Sequence, residues 1–208
     1  MKDLELDYHL AMANVYDLLR EVFFNRWTED SIKSITEKAE LLNSYFIEFP
    51  FIENLKNLNG NKLDIARWEY NRLFIGPRKP LAPPFESVYR SSKHLQMQSF
   101  TFGVREYYAQ VGLEVAMKDQ FPDDFIGFEF QYLFYISHLL VNLLQNGKED
   151  EKNELLAIKK EFLNEHLGQW IDKFCKDIMK ESREEIWINL AKFILEVFEK
   201  EDKYLIAS

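Results

Sequence analysis

PDDFIGFEFQYLFYISHLLVNLLQN, residues 122–146, is the stretch from which the fold is read. Pro122 needs no backbone donor in a first helical turn, and Asp123 and Asp124 place negative charge among that turn's unpaired N–H groups. Gly147 offers a left-handed exit at the other end. Between them, Phe128, Phe130, Tyr132, Leu133, Phe134, Ile136, Leu139, Leu140, Leu143 and Leu144 cover most of the helix circumference. A helix apolar on nearly every side must be buried by other helices or by lipid. Glu129, Gln131, Ser137, His138 and Asn142 interrupt it, so the unbroken apolar run of a membrane span is absent. The stretch predicts the central helix of an all-α, compact multi-helix domain.

The flanking sequence supplies the other helices. Leu4, Tyr8, Ala11, Val15, Leu18, Leu19, Val22 and Phe23 recur at steps of three and four over 3–25. Thr28 caps a second helix through about Ser44, and Pro50 opens a short one. Asn61 with Asp64 resembles a cap for a fourth, through Phe74. Helix resumes at about 96–111, and Leu113–Phe121 is a short amphipathic piece leading into Pro122. Residues 149–164 form the next helix, whose continuation Gly168 weakens. Ser182 and Glu185 read as a capping box for a last helix to about Lys200. Neither strand nor repeat is predicted. Residues 1–208 read as a single all-helical domain, with Pro83–Pro84 the one candidate boundary.

A chain of 208 residues buries roughly 70% of its unfolded surface as one domain. Its 18 Phe and 10 Tyr fill a helical core or also line a groove for apolar peptide. The net charge of −9 and pI of about 5.1 disfavour nucleic acid and anionic membranes as partners and welcome a basic ligand. The N-terminus MKDLELDYHL lacks the basic-then-apolar pattern of an export signal. A single cysteine, Cys175, allows no intramolecular disulfide, which suits a cytoplasmic location.

Motifs for catalysis are missing. The histidines at 9, 94, 138 and 166 are dispersed, and no HExxH or ExxH occurs. His138 reads as a core or groove histidine, and Cys175, on the face of Ile171 and Ile178, as a buried small residue. No GxGxxG or GxxxxGK[ST] is present. Neighbouring Asp123 and Asp124 do not face each other on a helix, so they make a poor catalytic or metal pair. No catalytic residue, metal or cofactor is expected.

The specific signals lie elsewhere. Residues 75–91, IGPRKPLAPPFESVYRS, hold four of the six prolines and form the longest irregular segment; such a loop in a compact domain is unusual without a task. With its preceding helix it reads EYNRLFIGPRKPLAPPFESVYR over 69–90. FPDDFIGFEFQYLFYI follows at 121–136 and FLNEHLGQWIDKFC at 162–175. These three blocks resemble the signatures of the TorD/DmsD/NarJ family of cytoplasmic chaperones for molybdopterin-dependent oxidoreductases, from about Tyr8 to Phe198.

That resemblance implies an all-helical fold, monomeric or dimerised by helix exchange, with binding rather than catalysis as its activity. The implied partner is the apo catalytic subunit of a dimethyl sulfoxide, trimethylamine N-oxide, nitrate, selenate or polysulfide reductase. Its twin-arginine leader, or an equivalent N-terminal segment, would be held in the cytoplasm until the cofactor is inserted. Carried over residue by residue, the peptide-binding pattern falls on Leu73, Phe74, Pro84, Phe85 and Asp124. Phe125 stands where a histidine commonly follows the acid, so that histidine's role does not transfer. Glu69, Glu86, Asp123 and Asp124 are candidate partners for the leader's guanidinium groups. Tyr89 and Phe125 join Leu73, Phe74 and Phe85 for its apolar stretch. Each has a plainer reading. Leu73 and Phe74 fasten the loop, Pro83 and Pro84 shape it, Glu86 caps the turn over Tyr89, and Glu69 pairs with Arg72 or Lys62. On the binding reading, reversing the charge of Asp124 weakens peptide binding while the chain stays helical. The competing functions are a helical adaptor for a folded partner and, more remotely, a small hydrolase or nucleotide-binding protein.

Overall fold

The computed structural model describes all residues except 1, 43–48, 78, 92–98, 116–121 and 208. The regular elements of the described residues are helices, in the order α1 Lys2–Phe24, α2 Glu29–Glu40, α3 Pro50–Lys56, α4 Gly60–Tyr70, α5 Glu86–Arg90, α6 Ser99–Gln110, α7 Ile126–Gln145, α8 Glu149–Phe162, α9 Gly168–Glu181 and α10 Glu185–Ala207. Wider π turns follow α4 at Asn71–Ile75 and α8 at Leu163–Leu167. Among them no helix is long and apolar enough to cross a membrane.

Local chemistry accounts for several of the helix ends. Thr28 caps α2 in a reciprocal box with Ser31; the expected extension to Ser44 stops at Glu40, and 43–48 lie outside the described residues. Pro50 opens α3 as its first residue. Gly147 leaves α7 with φ 68°, a left-handed turn that brings the Lys148 N–H to the Leu143 carbonyl at 3.0 Å.

Three expected starts are corrected. α7 begins at Ile126, not at Pro122, because Phe125 pairs antiparallel with Phe85 and is drawn into extended backbone. α4 is entered through Asn59 rather than capped by Asn61, and Asp64 pairs with Arg67 at 2.6 Å. At α10, Ser182 Oγ accepts from the Glu184 N–H, leaving Glu185 as first helical residue instead of the far half of a capping box. The beginning of the 96–111 helix, His94 and most of Leu113–Phe121 fall outside the described residues.

The chain divides into two compact units, residues 1–23 with 85–169 and residues 24–84 with 170–208. In the first, α7 buries Phe130 against Tyr16 and Phe23, with ring centroids 6.3 and 6.0 Å apart. Tyr132 lies 4.6 Å from Phe162 of α8. His138 is exposed, edge-on to Phe134, and is not a core residue. Lys152 of α8 reaches Glu5 of α1 at 2.9 Å.

The second unit is built on aromatic rings. Trp187 of α10 sits 4.4 Å from Trp27, 5.4 Å from Tyr70 and 5.5 Å from Phe74, and its indole N–H donates to the Ala66 carbonyl at 3.2 Å. Phe193 stacks on Phe51, and Phe174 of α9 meets both Phe74 and Trp170. Cys175 is fully buried, which pushes its thiol well above the ordinary range and leaves it unreactive.

Candidate functional site

In the first unit, the segment FESVY (85–89) and the block around PDDFIGF close on each other. The Glu86 N–H donates to the Asp124 carbonyl at 3.1 Å, and the rings of Phe85 and Phe125 lie 5.6 Å apart. The Asp124 carboxylate is wholly buried. One oxygen accepts from the Ser87 N–H at 2.8 Å and the other from Thr101 Oγ1 at 3.1 Å. It is therefore the cap of the short helix α5. Burial raises its carboxyl above the usual aspartate range; hydrogen bonds from Ser87 and Thr101 pull it part of the way back.

Asp123, also buried, accepts from Arg105 Nη2 at 2.6 Å, while its carbonyl accepts from the Tyr108 hydroxyl at 3.1 Å. Glu86 has no exposed surface. Its carboxylate meets Arg90 one helical turn on and His166 Nδ1 at 2.9 Å. Arg90 also donates to the Glu165 carbonyl, and Tyr107 to the Glu165 carboxylate at 3.2 Å. α6 approaches His166 so closely that a Cβ at Gly103 would lie 2.8 Å from its ring.

In the second unit, Glu69 accepts both Nε and Nη2 of Arg72, at 2.8 and 2.7 Å, and the Arg183 N–H at 2.6 Å. Of its two anticipated surface partners it uses Arg72. Burial pushes the Glu69 carboxyl up, but the Arg72 guanidinium and the Arg183 N–H outweigh that and hold it below its ordinary 4.5. Because the folded value is depressed, the stabilisation is complete above about 4.5 and is lost as pH falls through the folded value. Glu69→Gln is expected to lower stability at pH 7 by about 1.5–3 kcal/mol. Urea midpoints of the two proteins should converge in a pH series taken below 4.5. Leu73 and Phe74 are buried; the Leu73 carbonyl accepts from the Ala82 N–H at 2.8 Å, tying the proline loop to the end of α4.

Glu69, Leu73, Phe74 and Pro84 thus belong to the second unit, and Phe85, Glu86, Tyr89, Asp123, Asp124 and Phe125 to the first. All ten are buried except the half-buried Tyr89. Each of the four carboxylates has a partner within the protein. His166, Arg90, Arg105 and Thr101 were not anticipated. His166 and Arg90 lie within the third and first blocks, but the 80-residue separation of His166 from Glu86 hid that pairing. The imidazole beside the loop comes from this segment, and Phe125 packs on Phe85. Among the described residues no group of three or more His, Cys, Asp or Glu is placed to hold a metal ion.

The family model for the nitrate reductase delta subunit matches residues 32–176. The chain is 20% identical over 205 residues to the chaperone protein TorD of Aliivibrio salmonicida, covering 93% of this chain and 94% of that protein. It is 28% identical over 105 residues to the Tat proofreading chaperone DmsD of Salmonella paratyphi A, which is 50% of this chain and 45% of that one. In fold it resembles a crystal structure from Archaeoglobus fulgidus described as a redox enzyme maturation protein. There the TM-score is 0.62 at 19% identity, over 90% of this chain and 94% of the other. The match over 32–176 shows that the chain belongs to the nitrate reductase delta subunit family, with distant homology to the redox enzyme maturation proteins of the TorD and DmsD kind.

Proposed function

We propose that this protein is a cytoplasmic chaperone that binds the twin-arginine signal peptide, or the equivalent N-terminal region, of a molybdopterin-dependent oxidoreductase catalytic subunit. It holds that subunit back until cofactor insertion and folding are complete. The observation that carries this reading is the family match together with the two chaperone relatives. A general maturation role for redox-enzyme subunits follows from the family; the leader and the molybdopterin client are the proposal. We include in it a single domain over 1–208, organised around α7.

Burial and pairing favour supporting roles, within each unit, among the ten candidate residues. With their carboxylates paired inside the protein, Glu86, Asp123 and Asp124 act indirectly, by holding the loop end and the start of α7 in the first unit, and Glu69 acts likewise at the end of α4 in the second. Leu73 and Phe74 anchor the second unit's segment, and Phe85 and Phe125 the first unit's.

The test is calorimetric titration with the twin-arginine leader of a reductase catalytic subunit and with a version in which both arginines are lysine. Burying roughly 400 Å² of apolar area contributes about 10 kcal/mol gross, reduced by the ordering of the peptide. A micromolar Kd is expected, weakened at least about tenfold by the lysine change. Absence of binding to either peptide would overturn the leader reading in favour of an adaptor that docks a folded partner.

A further inference from the structure

Three of the four tryptophans, Trp27, Trp170 and Trp187, are fully buried and packed on other rings. Trp68 is 71% exposed, and among the described residues no ring or cation lies against its indole. It stands on a ridge with Ile65 and Ile75, 37% and 59% exposed, along the solvent side of α4 and its π turn. The opposite side of the same segment buries Glu69, Leu73 and Phe74. A helix with apolar residues on both faces has a second surface to cover.

At Ile65 the ridge runs into an open pocket of about 350 Å³, lined also by Lys62, Arg183, Glu184 and Glu185. The carboxylates of Glu184 and Glu185 form no ion pair among the described residues. Glu69 fixes this lip from beneath through the Arg183 N–H. An open indole face attracts guanidinium groups, and two unpaired carboxylates accept them with bidentate geometry. The net charge of −9 draws a basic segment in over distance. Lys62 and Arg183 keep the pocket from becoming a bare anionic site and can donate to the carbonyls of an extended peptide.

We infer that the Ile65–Trp68–Ile75 ridge and the adjoining pocket form the contact surface for an arginine-bearing apolar peptide. The guanidinium groups lie on Trp68 and against Glu184 and Glu185, and the apolar residues lie along Ile65 and Ile75. This rests on the leader-binding reading above and names the residues that touch the peptide.

Trp68 is also the reporter, since the three buried indoles are shielded from iodide. In the full chain, saturating twin-arginine leader peptide should shift tryptophan emission to the blue and at least halve iodide quenching. Trp68→Ala should abolish both signals and raise the calorimetric Kd at least tenfold, with an unchanged circular dichroism spectrum. Glu184→Gln with Glu185→Gln should raise Kd several-fold and flatten its salt dependence. If Trp68→Ala binds the leader with the wild-type Kd, the ridge is not the contact surface and leader binding itself stands. Failure of the wild-type chain to bind any leader would remove both.

Discussion

Asp124→Lys is expected to cost about 3–5 kcal/mol of unfolding free energy, the scale for leaving a buried charge without its partner. The lysine ammonium would enter a fully buried position facing the Ser87 N–H, a donor against a donor. Asp124→Asn should cost only about 1 kcal/mol: its carbonyl oxygen can accept from Ser87, and its amide can donate to the Thr101 hydroxyl. It also removes a carboxylate whose ionised form is disfavoured by burial. Urea unfolding followed by circular dichroism measures both. The reading of Asp124 as a peptide ligand anticipates that even charge reversal leaves the chain helical and stable. A lysine variant with wild-type stability would therefore overturn the buried capping role. Asp124→Asn, retaining the fold, is the variant with which to ask whether the residue matters to peptide binding.

Trp187→Ala is expected to cost about 3–5 kcal/mol. It removes the ring that Trp27, Tyr70 and Phe74 share, together with the hydrogen bond to the Ala66 carbonyl. The residue lies in the second unit and Asp124 in the first, while the chain passes between the units three times, at 23–24, 84–85 and 169–170. If residues 1–208 unfold as one domain, scanning calorimetry should show a single transition displaced downward by either substitution. Two transitions, one moved by Trp187→Ala and the other by Asp124→Lys, would dismiss the single-domain proposal.

The helices were legible because their signals are local. Thr28, Pro50 and Gly147 act on the backbone within one turn of themselves, and the three- and four-residue apolar recurrence of α1 needs no knowledge of its partners. Where the reading missed, a distant segment had intervened. PDD looks like a helix start, and becomes a cap for another helix, because Phe85 captures Phe125 in an extended pair. His138 looks internal within an apolar run, yet it faces solvent, since its neighbours Ile136, Ser137 and Leu140 take the buried sides of α7.

The candidate site divides the same way. Its residue types and its three blocks stand in the sequence, and they suffice to assign the family. Whether a carboxylate is open to a ligand is a property of what surrounds it. Glu86 and His166 are 80 residues apart in the chain and 2.9 Å apart in space. Glu69 finds Arg183 across 114 residues, and Trp68 is 71% exposed where the three other tryptophans are fully buried. The sequence by itself determined an acidic, all-helical protein with a stiff proline loop and a family signature. Only the tertiary structure decided which of its acids are buried and paired and which of its tryptophans is left exposed, because burial and pairing depend on segments that no local spacing connects.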